Sequence, residues 1–158
     1  MAIRKKLGDI AGRVCEALLP VRQGYFLGRG DRVAICTLSS MDLLSRISSS
    51  QIMESVAIAG RLLSENRGID EMISFTLKHP KLERIIICGR EVKGHTAGQA
   101  LLSLVSSGTD SNGRIIGAIG PYPFLQSSPS DVERFRKQVK IVDLIGTTDI
   151  GELSRLIS

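Results

Sequence analysis

The chain is predicted to be an α/β protein, a three-layer, doubly wound and mainly parallel sheet of about five strands. Two observations predict it. Short β-branched runs, of which Arg84-Ile-Ile-Ile-Cys-Gly89 is the densest, have the composition of strands covered on both faces. Between them lie stretches whose apolar residues return every three or four positions, and strands joined by such helical stretches fold as right-handed crossovers. At 158 residues, 42% of them hydrophobic and 23% charged, the chain suits one globular domain with a sizeable core.

The elements follow in order. Arg32-Val-Ala-Ile-Cys-Thr-Leu38 reads as the first strand, and the serine-rich stretch 41–50 as a short helix. Ser55-Val-Ala-Ile-Ala-Gly60 reads as a second buried strand, although a helix over 51–63 fits its spacing almost as well. In 68–79 apolar residues stand at 69, 72, 73 and 77, acidic residues occupy the first turn, and Pro80 follows, which together predict a helix. Strand 84–89 and a helix over 96–107 come next, then a turn at Asp110-Ser-Asn-Gly113 and a strand over 114–119. Ser128-Pro-Ser-Asp opens a helix over 132–139, followed by a strand over 141–145 and a closing helix over 148–157. Residues 1–23 are taken as an N-terminal extension and 24–158 as the folded domain.

Composition narrows the function classes. No apolar run approaches the roughly 20 residues of a membrane span, and no signal-peptide core follows the basic Arg4-Lys5-Lys6, so a cytoplasmic protein is expected. Cys15, Cys36 and Cys88 form no CxxC pair and read as buried thiols. The 21 basic and 16 acidic residues give +5, much of it at residues 4–6 and on the solvated face of 134–140. Only 4% of residues are aromatic, which supplies few stacking platforms, so no nucleic-acid partner is expected. Glycine-rich dinucleotide and phosphate fingerprints, the GxSxG elbow and zinc-type Cys/His spacing are all missing from the sequence.

Chemistry concentrates in Cys88-Gly-Arg-Glu-Val-Lys-Gly-His-Thr-Ala-Gly-Gln99, where a strand hands over to a helix and presents His95. Carboxyl ends of strands border the ligand crevice in open α/β sheets. The loops expected there are 37–40, 60–67, 89–95 and 119–124. His95 reads either as an axial ligand to a metal that arrives already ligated in a macrocycle, such as a corrinoid or haem, or as an imidazole touching solvent or a phosphate. His79, in the last turn before Pro80, reads as complementing its helix dipole. Tyr122 and Phe124 stand between prolines, either walling a pocket or capping the sheet.

The segment ending in Gln99 closely resembles the corrinoid-carrying A subunit of archaeal tetrahydromethanopterin S-methyltransferase, as the pattern C-G-x-E-V-x-G-H-x-x-G-Q. Further similarities keep the same order: Gly24-Tyr-Phe-Leu-Gly28, Val33-Ala-Ile-Cys-Thr-Leu-Ser39, Glu65-Asn-Arg-Gly-Ile-Asp70, Gly113-Arg-Ile-Ile-Gly117, Pro123-Phe-Leu125 and Val132-Glu-Arg-Phe-Arg-Lys-Gln138. The resemblance implies a Rossmann-like domain binding cobalamin, 5-hydroxybenzimidazolyl or a related corrinoid, with His95 as lower axial ligand to cobalt. It also implies a methyl group passed from methyl-tetrahydromethanopterin to coenzyme M or another thiol, alongside other methyltransferase subunits or a donor or acceptor protein. The chain is then a cofactor-bearing component that does not catalyse alone.

With the crevice loops, the resemblance assigns the cofactor contacts to Thr37, Leu38, Glu65, Asn66, Gly68, Gly89, Glu91, Val92, Lys93, Gly94, His95, Thr96, Gly98, Gln99, Gly120, Pro121, Pro123 and Phe124. Glu65 and Glu91 are both eligible to orient the imidazole, each lying in a crevice loop. Two features depart from the family. Its membrane-bound members end in a hydrophobic anchor where this sequence closes at Ser158, so a homologue without the anchor is expected. The loop Gly60-Arg-Leu-Leu-Ser-Glu65 lacks the family's usual polar residues, and Leu19-Pro20 replaces its Trp-Pro. Two alternatives stand beside this reading: a binder of nucleotides or other phosphates at the helix start near Gly94, and a basic scaffold or nucleic-acid module.

Overall fold

The computed structural model describes residues 24–157, which form a five-stranded sheet in the order β1-β3-β2-β4-β5. The strands are β1 (Tyr25–Leu27), β2 (Val33–Cys36), β3 (Ile58–Gly60), β4 (Arg84–Gly89) and β5 (Lys140–Ile145). β2 runs parallel to both β3 and β4, β4 runs parallel to β5, and β1 lies antiparallel at the edge of β3. The helices are α1 (Met41–Ser48), α2 (Arg67–Lys78), α3 (Ala97–Ser107), α4 (Pro129–Gln138) and α5 (Ile150–Ile157), with a 3-10 turn at Gln51–Glu54.

Strand alternation builds the three layers. Ala34, Cys36, Ile85 and Ile87 face one way, into a core completed by Ile69 and Ile73 of α2, Leu101 and Leu104 of α3 and Phe135 of α4. Their neighbours Val33, Ile35, Ile86 and Cys88 face the other way, onto Leu43, Leu44 and Ile47 of α1 and Leu153 of α5. A central strand buried on both faces needs apolar residues at every position, which is why β4 reads as an unbroken run. Desolvation pushes the buried Cys36 and Cys88 thiols up to about 12. Cys15 and the basic residues 4–6 lie outside the described residues.

The strand expected over 114–119 does not form. Only isolated bridges join Thr109 to Ile115 and Arg114 to Phe124, and the segment folds on itself through turns, with Asp110 Oδ1 accepting from the Asn112 and Arg114 N–H groups. Its apolar residues still pack, since Ile115 and Ala118 are buried, but they close the end of the core instead of joining the sheet. The apolar demands of Ile115 and Ala118 are satisfied equally well by a buried loop. The fifth strand is instead β1, three residues too short for a periodicity to show. Residues 51–60 resolve as a 3-10 turn followed by strand, not as one helix.

Candidate functional site

The loops at the carboxyl ends of β3 and β4 meet the returning segment 119–124 at His95, and the loop after β2 packs against the one after β4. The loop after β4 is pinned by its neighbour: Ser40 Oγ accepts the Arg90 N–H at 2.8 Å, and Ser39 Oγ donates to the Arg90 carbonyl at 2.8 Å. The chain then turns through 93–95 and enters α3 by way of Thr96 in the left-handed region (φ 47°, ψ 48°). His95 therefore precedes the helix, and its side chain is 53% exposed.

Its partner is Glu65. The carboxyl group is 1% exposed; Oε2 lies 2.9 Å from His95 Nδ1, and Oε1 accepts the Tyr122 N–H at 3.0 Å. Burial raises the Glu65 pKa, but its own backbone N–H, that of Tyr122 and the imidazole outweigh this and hold it below its ordinary value. The carboxylate is thus ionised and can only accept, so Nδ1 of His95 donates to it and Nε2 is the ring nitrogen left outside the pair. Asn66 extends the brace: its Nδ2 donates to the Tyr122 carbonyl at 3.1 Å, while its Oδ1 accepts the Arg67 N–H at the start of α2. Gly120 is wedged behind the pair, where a Cβ would fall 2.5 Å from the His95 carbonyl oxygen and 3.0 Å from Glu65 Cγ.

Glu91 has a different task. Its Oε1 accepts the N–H groups of Val92 (2.8 Å) and Gly98 (3.0 Å), and its Oε2 that of Gln99 (2.8 Å), so it fills the N-terminus of α3 with negative charge. The anion site invoked for a phosphate ligand near Gly94 is therefore already held by the protein's own carboxylate.

Other residues assigned from sequence divide similarly. Gly98 is packing: a Cβ there would meet Glu91 Oε2, Ile145 Cδ1 and Leu38 Cδ1 at 2.8 to 3.1 Å. The Gln99 amide ties α3 to the 114–119 turn, donating to Ser103 Oγ and the Gly117 carbonyl and accepting from Ile119 N–H. Thr37 and Leu38 are buried, Gly68 receives Ser64 Oγ on its N–H, Gly89 is buried beside Thr37, and Val92 packs on the core. Lys93, Gly94 and Pro121 are exposed, Phe124 and Thr96 are half-buried, and Pro123 is buried. Tyr122 and Ile119, 60% and 73% exposed, present apolar surface on the segment that braces Glu65. Sequence reasoning missed the Tyr122 N–H as a brace; the signal was Pro121 and Pro123, which leave Tyr122 the one backbone donor of the triplet. His79 stacks on Phe75 with ring centroids 4.0 Å apart and lies 2.7 Å from the Phe75 carbonyl oxygen through Nδ1, away from this site.

Among the described residues no three His, Cys, Asp or Glu side chains converge as a metal set. The arrangement offers one oriented, solvent-facing imidazole nitrogen, suited to a metal that brings its own equatorial ligands.

Fold and site together define an α/β domain with a single braced imidazole at the sheet's carboxyl edge. The family model for the A subunit of tetrahydromethanopterin S-methyltransferase matches residues 16–158, and the chain belongs to that family of methyltransferase components. It is 34% identical over 147 residues to the A subunit of the putative methyltransferase Mtx from Methanosarcina barkeri, covering 92% of this chain and 71% of that one. It is 38% identical over 127 residues to the A 2 subunit of tetrahydromethanopterin S-methyltransferase from Methanothermobacter thermautotrophicus, covering 79% and 67%. To the A subunit of the Methanocaldococcus jannaschii tetrahydromethanopterin S-methyltransferase it is 38% identical over 142 residues, covering 87% of this chain and 57% of that protein. Among the described residues no helix is long and apolar enough to cross a membrane.

Proposed function

We propose that this chain is the corrinoid-bearing component of a methyl transfer from methyl-tetrahydromethanopterin to coenzyme M or another thiol, with His95 as the lower axial ligand. The observation that carries the reading is the Glu65–His95 pair, which engages Nδ1 of a half-exposed imidazole and leaves Nε2 as the nitrogen that could meet a metal. A bound cobalamin would supply a cobalt centre that takes up and releases the methyl group. The protein's part is to hold and to tune. Ionised Glu65 fixes the ring orientation and raises the basicity of the free nitrogen, as carboxylates behind metal-bound histidines do. The Tyr122 N–H and the Asn66 amide hold segment 119–124 against the same carboxylate, so the ring, the acid and the loop form one unit. The exposed Ile119 and Tyr122, on the segment that braces Glu65, would offer apolar cover for a flat macrocycle. The open space around Gly94, where a Cβ would meet nothing within 4 Å, leaves the approach to the loop clear.

Equilibrium dialysis of the folded protein with hydroxocobalamin tests the reading. Retention near one equivalent is expected, together with nitrogen hyperfine coupling from the protein imidazole in the paramagnetic spectrum of the reduced complex. No retention would overturn it.

A further inference from the structure

The sheet is covered unequally. On the face packed by α2, α3 and α4, the half formed by β1 and β3 carries a groove of about 580 Å³ beside α2, within the size range of small-molecule sites. Its body is apolar. Ile58 of β3 with Met72 and Phe75 of α2 line it and stay half-buried, while Tyr25 and Leu27 of β1 stand at its side 52% and 67% exposed. An apolar groove alone names no occupant.

Two polar groups in its wall do. Arg61 and Thr76 both line the groove, and each holds an enclosed atom, Arg61 Nε and Thr76 Oγ1, that hydrogen-bonds to nothing among the described residues. Thr76 is 0% exposed. An enclosed polar atom without a partner is costly, and an occupant that brings acceptors removes the cost. Small rotations present both groups: a threonine on a helix has two open χ1 wells, and the half-buried Arg61 carries further N–H groups on the same fork. Charge points the same way. The carboxylate on the rim, Glu71, is already paired with Arg67 at 3.2 Å, and Arg61 has no ion pair among the described residues.

We propose that this groove is a second ligand site, separate from His95, for an elongated amphiphile with an anionic head, an apolar body and a distal oxygen. Arg61 takes the head at the carboxyl end of β3, Ile58, Met72 and Phe75 cover the body, and the Thr76 hydroxyl meets the oxygen toward the far end of α2. Thr76 lies about 14 Å along α2 from the helix start, which sets the scale of the ligand.

Isothermal titration of the full chain with laurate and with ω-hydroxylaurate, both below micelle-forming concentration, tests this. One equivalent of each is expected to bind. Arg61→Met, which keeps an apolar stem and loses the cation, should weaken both by about tenfold or more. Thr76→Val, close to threonine in volume, should weaken ω-hydroxylaurate by about fivefold and leave laurate unchanged, because only the former carries the distal oxygen. Leu156→Asp on α5, across the sheet, is the control and should alter neither. Far-ultraviolet dichroism certifies each fold, and Thr76→Val, which removes an orphaned hydroxyl, stays readable even if Arg61→Met disturbs the loop. Binding of neither acid would overturn the proposal, as would equal laurate affinity in wild type and Arg61→Met. So would an unchanged preference between the two acids in Thr76→Val. Hydroxocobalamin retention should be the same in wild type and both variants, which keeps failure at this groove distinct from failure at His95.

Discussion

Glu65 and Glu91 are the same residue type, each in a loop leaving the carboxyl end of a parallel strand, and they do unlike work. Glu91 turns its carboxylate toward three backbone N–H groups and closes the start of α3, whereas Glu65, 1% exposed, divides its oxygens between one amide and one imidazole. The first is satisfied wholly by the backbone and holds the helix in place. The second is satisfied half by a side chain, so it acts on whatever that side chain meets. A carboxylate's role near a site is set by which donors surround it, and the loop it occupies does not reveal them.

Replacing the imidazole that Glu65 holds should have the largest effect. His95→Ala is expected to abolish protein-imidazole coupling in the reduced cobalamin complex and to lower the thermal midpoint modestly, since it takes one donor from the buried Glu65 carboxylate. Glu65→Gln comes next: loss of the charge behind the ring should weaken cofactor retention by about 10- to 100-fold in dialysis. Glu91→Gln should do the reverse, costing about 1–3 kcal/mol in urea unfolding through the helix start while imidazole coupling persists. Parallel effects of the two substitutions on coupling would erase the distinction between the two acids.

Acid sharpens the comparison. The folded pKa of Glu65 lies below its ordinary 4.5, so its ionised form stabilises the fold at pH values above that figure. That contribution is lost as pH falls through the lower folded value. The stability difference between wild type and Glu65→Gln should therefore be flat from neutrality to about pH 5 and shrink only below 4.5, read from urea midpoints against pH. His79→Ala should change coupling least of all, its ring being engaged with Phe75.

Much of this is legible in the sequence. β4 reads with its observed bounds because a doubly covered strand has a signature that few other structures share. The helices at α2 and α4 announce themselves through acidic first turns, Ser128 as a cap and a following proline or apolar stripe. The exception is the segment 114–119, where composition suits a strand but Gly113 and Gly117, both with positive φ, turn the chain back. His95 stands out through its place at a strand-to-helix transition. The choice between Glu65 and Glu91 is not legible, because it depends on how far two loops from different strands lean toward one another, and the 30-position separation of Glu65 and His95 carries no periodicity that encodes it.

The buried sulfurs carry one more consequence. Cys36 and Cys88 lie at the carboxyl ends of β2 and β4, the ends that open onto the His95 loops. A thiol titrating near 12 is ionised to roughly one part in 10⁵ at neutral pH, and only the thiolate is a strong nucleophile. A carrier of the kind proposed has to be a poor acceptor of its own cargo. By drying these two sulfurs the core makes them chemically silent, and a soft alkylating reagent should leave both unmodified for as long as the sheet stays folded.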